Sequence, residues 1–429
     1  MSDNELSMIQ KPFKNNLFRD VIQLVIGTVG GRLIFLASLP ILTRLYEPDD
    51  FKLLAVFLAL ISSISVAACM RLEVAIPLAD DDDDAVNLLV LALLSAAITS
   101  AIILIFSVSA PEALARWIGT PDIAPYLWLV AAGVFLGTSF TALQYWATRM
   151  RRFSLIARVR VSQAATAAGA MLGMGWLGIV PIGLLVGNLL ALCAGAGTMT
   201  AQSFKIDQEH FAKINRSRIR SMLSKYWRFP TFSTPEAFTN ILSIQIPILI
   251  FAAYSGSEAG QLYLAIQAVA VPMTLLGASI GQVYASRAAE ELRKGTLNQF
   301  TGMIMRRLFF VGLVPMVLVL LLGPKFFPII FGNEWQRAGM IAAWISPWML
   351  IQLIASPVSL VMALLGYQKE MLMLSLSGAV LRIGVVVIAS QISPTLMLEF
   401  YAVSSAAFFG VCSVFFYRTS MITEKLRRT

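Results

Sequence analysis

Residues 161–204, VSQAATAAGAMLGMGWLGIVPIGLLVGNLLALCAGAGTMTAQSF, carry no charged side chain, and the segment that follows, KIDQEHFAKINRSRIRSMLSKYWR (205–228), holds seven Lys or Arg. A helix needs roughly 20 apolar residues to cross a bilayer, so the 44 uncharged positions are too many for one crossing. Gly178 to Pro181 divide them into two helices joined by a short turn, because Gly and Pro punctuate helices and antiparallel neighbours need little connection. Working outward, apolar runs lie at 21–44, 53–70, 85–108 and 125–148 on one side, and at 230–253, 259–285, 308–331, 338–366, 371–391 and 395–417 on the other. The sequence therefore predicts an all-α polytopic membrane protein with twelve transmembrane helices.

Composition excludes the alternatives. Hydrophobic residues make up 58% of the chain and charged residues 13%, too few to cover a globule of this size with a wetted surface. An ordinary soluble enzyme is excluded. Cys69, Cys193 and Cys412 all sit in apolar runs, so no disulfide framework is expected, and the lone His210 has no partner with which to hold a metal. The polar residues 1–20 meet a long apolar run without a signal-peptide cleavage pattern, so the first helix is expected to be retained.

The net charge of +9 follows from topology. Cytoplasmic loops retain Lys and Arg far more than exported loops do. With an inner N-terminus, 26 of the 33 basic residues fall on inner segments and five on outer ones, which predicts both termini in the cytoplasm and needs no nucleic acid. The basic segment 203–228 lies at the midpoint, with six spans before it and six after. Two lobes are expected, 1–203 and 204–429, related by a pseudo-two-fold axis along the membrane normal. Leu39-Pro40-Ile41-Leu42 in the first helix and Ile246-Pro247-Ile248-Leu249 in the seventh echo one another at equivalent places.

A few residues do not belong in lipid. Arg32 and Arg382 each lie about 12 residues into a span, and an intramembrane Arg costs at least about 2.5 kcal/mol on insertion scales. Each must face protein, water or an anion. Gly27, Gly30 and Gly31 beside Arg32 leave room for a neighbouring helix or a ligand. The seventh helix is unusually polar, with Glu236 and Asn240 one turn apart on one face and Gln245 beyond them, so it is expected to line an aqueous cleft. Gln144, Gln267 and Gln352 are expected either to join that cleft or to bond between helices, and Glu236 and Glu399 either to partner the arginines or to bind a coupling cation. The run Asp80–Asp84 is expected to be a solvated cap of the third helix. No phosphate-binding GxxxxGK[ST] loop, GxSxG, HExxH or paired-Cys motif is present, and the outer loops are short, so neither a primary pump, a hydrolase nor a glycan polymerase is expected, and no cofactor is implied.

Four stretches carry a resemblance: IQLVIGTVGGRLIFLASLPILTRLYEPDDFKLLAVFLAL (22–60), RLEVAIPLADDDD (71–83), PMTLLGASIGQVYASRAAEE (272–291) and FFPIIFGNEWQRAG (326–339). They resemble the bacterial O-antigen and exopolysaccharide flippases of the multidrug/oligosaccharidyl-lipid/polysaccharide exporter superfamily. The resemblance implies a two-lobe alternating-access carrier, not an enzyme, that moves an undecaprenyl-pyrophosphate-linked oligosaccharide across the bacterial inner membrane. It implies a cationic cleft lined mainly by helices 1, 2, 7 and 8, with Arg32 on that surface; Arg382 by its depth, and Asn240, Gln245 and Gln267 by their polarity within spans, are the further substrate-binding candidates. Arg382 does not fall on those helices. The partners it implies are the lipid-linked substrate, the bilayer, a polysaccharide polymerase and a chain-length regulator. A cation-coupled drug antiporter of the same fold remains the alternative, separated by whether Glu236→Gln stops efflux of organic cations, and a membrane-embedded polymerase or ligase is a third reading.

Overall fold

The computed structural model describes residues 26–364 and 367–428. Among them lie twelve long helices: α1 (Ile26–Leu45), α2 (Pro48–Ala68), α3 (Asp82–Ser109), α4 (Leu127–Arg149), α5 (Phe153–Trp176) and α6 (Ile182–Ile206). The second six are α7 (Thr234–Tyr254), α8 (Glu258–Lys294, with a π-helical turn at Ile266–Ala270), α9 (Leu297–Phe331), α10 (Gln336–Leu364), α11 (Gln368–Ile392) and α12 (Met397–Arg428). Ten are long and apolar enough to cross a membrane on those grounds alone. The other two, α5 and α8, carry the charges that lower their hydropathy: Arg158 and Arg160 near the start of α5, and the basic end of α8. Polytopic insertion leaves large side chains bare where lipid would cover them, as at Trp117, Ile105 and Ile392.

The inner ends run longer than the apolar runs suggest. Helix α9 begins at Leu297, ahead of Arg306 and Arg307, and α12 continues past Arg418. Arg158 and Arg160, expected in a loop, are helical. Apolar content marks where a span can lie in lipid, whereas backbone hydrogen bonding continues into water as long as no Gly or Pro interrupts it.

The described chain forms two compact units. The first comprises 26–39, 60–111 and 124–238. Its core gathers around Trp146 of α4, with Leu88 and Leu89 of α3, Ile156 of α5 and Met199 of α6, all almost fully buried. Burying such side chains contributes about 1.5–3 kcal/mol each where the alternative is water, and in lipid the gain comes instead from close packing. The second unit comprises 40–59, 112–123 and 239–428. Its core joins Tyr284 of α8, Val358 and Met362 of α10, and Cys412 and Phe416 of α12. The Tyr284 hydroxyl is hydrogen-bonded to Thr301 of α9 at 2.6 Å, so this buried polar group is satisfied.

The aspartate run does more than cap a helix. Asp81 is the N-cap of α3, accepting from the Asp84 amide at 2.6 Å as expected. The other four fasten the basic segment and α4. Asp82 accepts from Arg149 Nε at 2.7 Å, Asp83 takes Lys213 at 3.0 Å and Arg218 at 3.3 Å, and Lys225 bridges Asp80 and Asp84 at 2.7 and 3.1 Å. The segment's start is held by Asp207, almost fully buried, which accepts from Trp146 Nε1 at 2.9 Å and pairs with both terminal nitrogens of Arg152. The run is thus a clamp as well as a cap: Asp80, Asp83 and Asp84 pair with the basic segment and Asp82 with α4.

The clamp has a pH window. The hydrogen bond from Lys225 holds the Asp80 carboxyl below the usual carboxylate range, and the bonds to Asp80 and Asp84 push the Lys225 ammonium up. A lowered carboxyl pKa gives stability that is full above about pH 4, the unfolded value, and is lost below it as pH falls through the lowered folded value; a raised Lys pKa gives stability that is full below about pH 10 and is lost above it. Proteolysis of 213–225 in the purified protein is expected to be slow between those limits and to quicken below about pH 4 and in high salt, because exposed pairs are screened. Cleavage that ignored both would contradict the clamp.

Candidate functional site

In the first unit, α1 lies directly against α5. A Cβ at Gly27 would overlap Ala157 Cβ and come within 2.8 Å of the Ala157 carbonyl oxygen, and one at Gly31 would sit 3.1 Å from the carbonyl oxygen of Arg160. Glycines one turn apart therefore provide the groove into which α5 fits. That close approach places Arg160 beside α1. Its Nη1 donates to Thr28 Oγ1 at 2.6 Å and its Nη2 to Gln144 Oε1 of α4 at 3.3 Å. Arg32, one turn past Thr28 on α1, is exposed and close enough for its charge to act on Arg160. Among the described residues, neither arginine has a carboxylate within ion-pair distance.

Two like charges gathered on adjacent helices repel, and a protein that keeps them side by side gains nothing from the pair unless an anion shares it. Arginine presents a planar fork of N–H donors that matches phosphate geometry, and it stays charged. Each fork can donate to a phosphoryl group, and Thr28 and Gln144 set the direction of the Arg160 fork. Sequence reading singled out Arg32 by its insertion cost and counted Arg160, so near the loop, as an orientation signal. The sign that could have found it was Gln144, a lone intramembrane amide, together with the paired glycines.

In the second unit, Arg382 on α11 is buried, 7% exposed. Its Nε donates to Gly378 O at 3.1 Å and one Nη to Ser243 Oγ of α7 at 3.3 Å, so it meets α7 although its place in the helix order gave no reason to expect that. It lines a cavity of about 360 Å³ together with Asn240, Gln352 and Trp348. Gln245 and Gln267 are half-buried and are not among its walls. Glu236 is exposed and belongs to the first unit, whereas Asn240 belongs to the second. Glu399 accepts from Arg337 at 3.0 Å, and Arg337 also pairs with Glu258 at 2.9 Å. One oxygen of Glu399 is therefore occupied by an arginine from the first turn of α10, and not by Arg382.

Segment 40–59 forms a tight joint within the second unit. Trp335, fully buried, donates its indole N–H to Thr43 O at 3.0 Å, and Phe51 stacks edge-on against it at 4.9 Å. Gly260 of α8 lies against the backbone of Pro48 and Lys52, and Lys52 reaches Asp122 at 3.1 Å. Gln261 ties the same turn down, donating to Glu334 O at 2.7 Å and accepting from the Ala338 amide at 2.9 Å.

Twelve long helices, ten of them long and apolar enough to cross a membrane, define a multi-pass membrane protein. Comparison with solved structures identifies the fold. An inward-facing multidrug resistance MATE family transporter of the MOP superfamily superposes with a TM-score of 0.67 at 14% identity, covering 94% of this chain and 96% of that one. The lipid II flippase MurJ in its inward closed conformation also gives 0.67, at 12% identity over 94% and 92%. A MOP superfamily transporter from Pyrococcus furiosus Vc1 (DSM3638), described as having a binding pocket of reverse polarity, gives 0.60 at 14% identity over 96% of each chain. At these identities the likeness shows the fold alone. No curated protein matches the sequence significantly. The model of the polysaccharide biosynthesis protein family matches residues 41–339, and the chain belongs to that family.

Proposed function

We propose that the chain is an alternating-access flippase that carries an undecaprenyl-pyrophosphate-linked oligosaccharide from the inner to the outer leaflet of the bacterial inner membrane. The observation that carries this reading is the Arg32–Arg160 pair: two guanidinium groups on touching helices, without a described carboxylate, in a chain of the polysaccharide biosynthesis family. A pyrophosphate supplies the negative charge that the pair lacks and accepts bidentate bonds from both forks. The substrate's polar head then crosses the bilayer core in a basic, hydrogen-bonding environment, where lipid alone offers nothing to a charge. The fold shared with a lipid II flippase supports a lipid-linked substrate.

Both termini are assigned to the cytoplasm on the distribution of basic residues, and a polymerase and a chain-length regulator would act on the delivered unit at the outer face. Deleting the gene is expected to trap the lipid-linked unit in the cytoplasmic leaflet with its assembly intact. Normal arrival at the outer leaflet would overturn the reading.

A further inference from the structure

The cavity of the second unit has a composition that packing alone does not explain. Arg382 brings five N–H donors and a permanent charge into it, and two of those donors are accounted for by Gly378 and Ser243. Phe408 and Phe409 hold the guanidinium carbon at 5.2 and 5.9 Å from their ring centres, which fixes its plane without neutralising it. No carboxylate among the described residues pairs with it. Trp348, 6% exposed, lines the same cavity, and its indole N–H is buried without a hydrogen-bond partner. Buried donors without acceptors are costly, so a site that gathers an uncompensated charge and an unspent N–H around open space is short of an acceptor that is itself negative.

The rest of the wall decides what kind of anion that is. Ile244, Ile248, Met371 and Phe416 offer no hydrogen bonds, and about 360 Å³ is the size of a small-ligand pocket. A bare phosphate or chloride could find donors on Asn240 and Gln352 as well, but it would leave most of that apolar surface uncovered.

We propose that this cavity binds an amphiphilic anion: an acidic phosphate or carboxylate head on Arg382 and Trp348, with an apolar body against Ile244, Ile248, Met371 and Phe416. The site is carried entirely by the second unit and does not depend on the Arg32–Arg160 pair. An acidic membrane lipid and a water-soluble alkyl acid both present this chemistry.

The test is equilibrium binding of radiolabelled octyl phosphate to the full chain in a neutral detergent. Saturable binding is expected, weakened about tenfold or more in Arg382→Gln and by a smaller factor in Trp348→Phe, which leaves the charge in place. Displacement by phosphatidylglycerol and not phosphatidylcholine would assign the head to a lipid, and displacement by octanoate alone would assign it to a soluble acid. Inorganic phosphate that competes as well as octyl phosphate, or undiminished binding in both variants, would overturn the proposal. The readout is binding and not translocation, so it stands or falls separately from the flippase reading.

Discussion

Cells carrying Arg32→Ala are expected to lose surface polysaccharide almost completely while the protein remains in the membrane at its normal level. Arg32 is exposed and makes no hydrogen bond or ion pair to a described residue, so its removal leaves no buried acceptor unsatisfied and costs little stability. What it removes is half of a two-arginine field. Charge-assisted hydrogen bonds are each about 1.5–3 kcal/mol, so even at the low end of that scale a bidentate pair corresponds to more than about a hundredfold in affinity for the pyrophosphate. Arg160→Gln is expected to act in the same direction, and the double variant to be no worse than the single ones, because either removal already breaks the shared anion site. Polysaccharide at normal levels in Arg32→Ala, measured beside an immunoblot of the membrane fraction, would remove the arginine pair from the account.

The second large effect is expected at Gly260. A Cβ at this position would overlap the Pro48 carbonyl oxygen and lie 2.8 Å from the Lys52 amide nitrogen. Both neighbours are backbone, so no side chain can swing aside, and the joint that includes Trp335, Thr43 and Phe51 must open. Overpacking of this kind costs about 1–3 kcal/mol or more. Gly260→Val is therefore expected to lower the unfolding temperature of the purified protein by several degrees and to reduce polysaccharide export. Gly197→Ala is the control, since a Cβ there meets nothing within 4 Å and replaces glycine inside a helix. Equal behaviour of the two variants would show that close approach at Gly260 does not hold the second unit together.

The fold was legible because its cause is one-dimensional. Lipid requires each crossing segment to satisfy its own backbone groups, so a run such as 161–204 with Gly178 to Pro181 inside it reads as two helices without reference to any partner. Arg32 and Arg382 were legible as anomalies for the same reason, since their cost in lipid depends on depth alone. Partners were not legible. Lys225 meets Asp80 from 145 positions away, Arg382 meets Ser243 from 139, and Arg160 meets Thr28 from 132. The aspartate run looked like a cap because the local part of its role, Asp81 to Asp84, spans three residues. Glu399 looked available because Arg337, its partner, stands 62 positions away at the start of α10 and counted as an outer-loop charge.

The central claim is that this chain moves a lipid-linked sugar between leaflets. Its most direct test is the sidedness of the undecaprenyl-pyrophosphate-linked unit in cells that lack the chain, read by enzymatic labelling of sugars in right-side-out and inside-out membrane vesicles. The account predicts an unpolymerised unit that accumulates and is labelled only from the cytoplasmic side, with outer-leaflet labelling restored by the wild-type gene and not by Arg32→Ala. A unit labelled at the outer face in the deletion strain, or no accumulated unit at all, would contradict it.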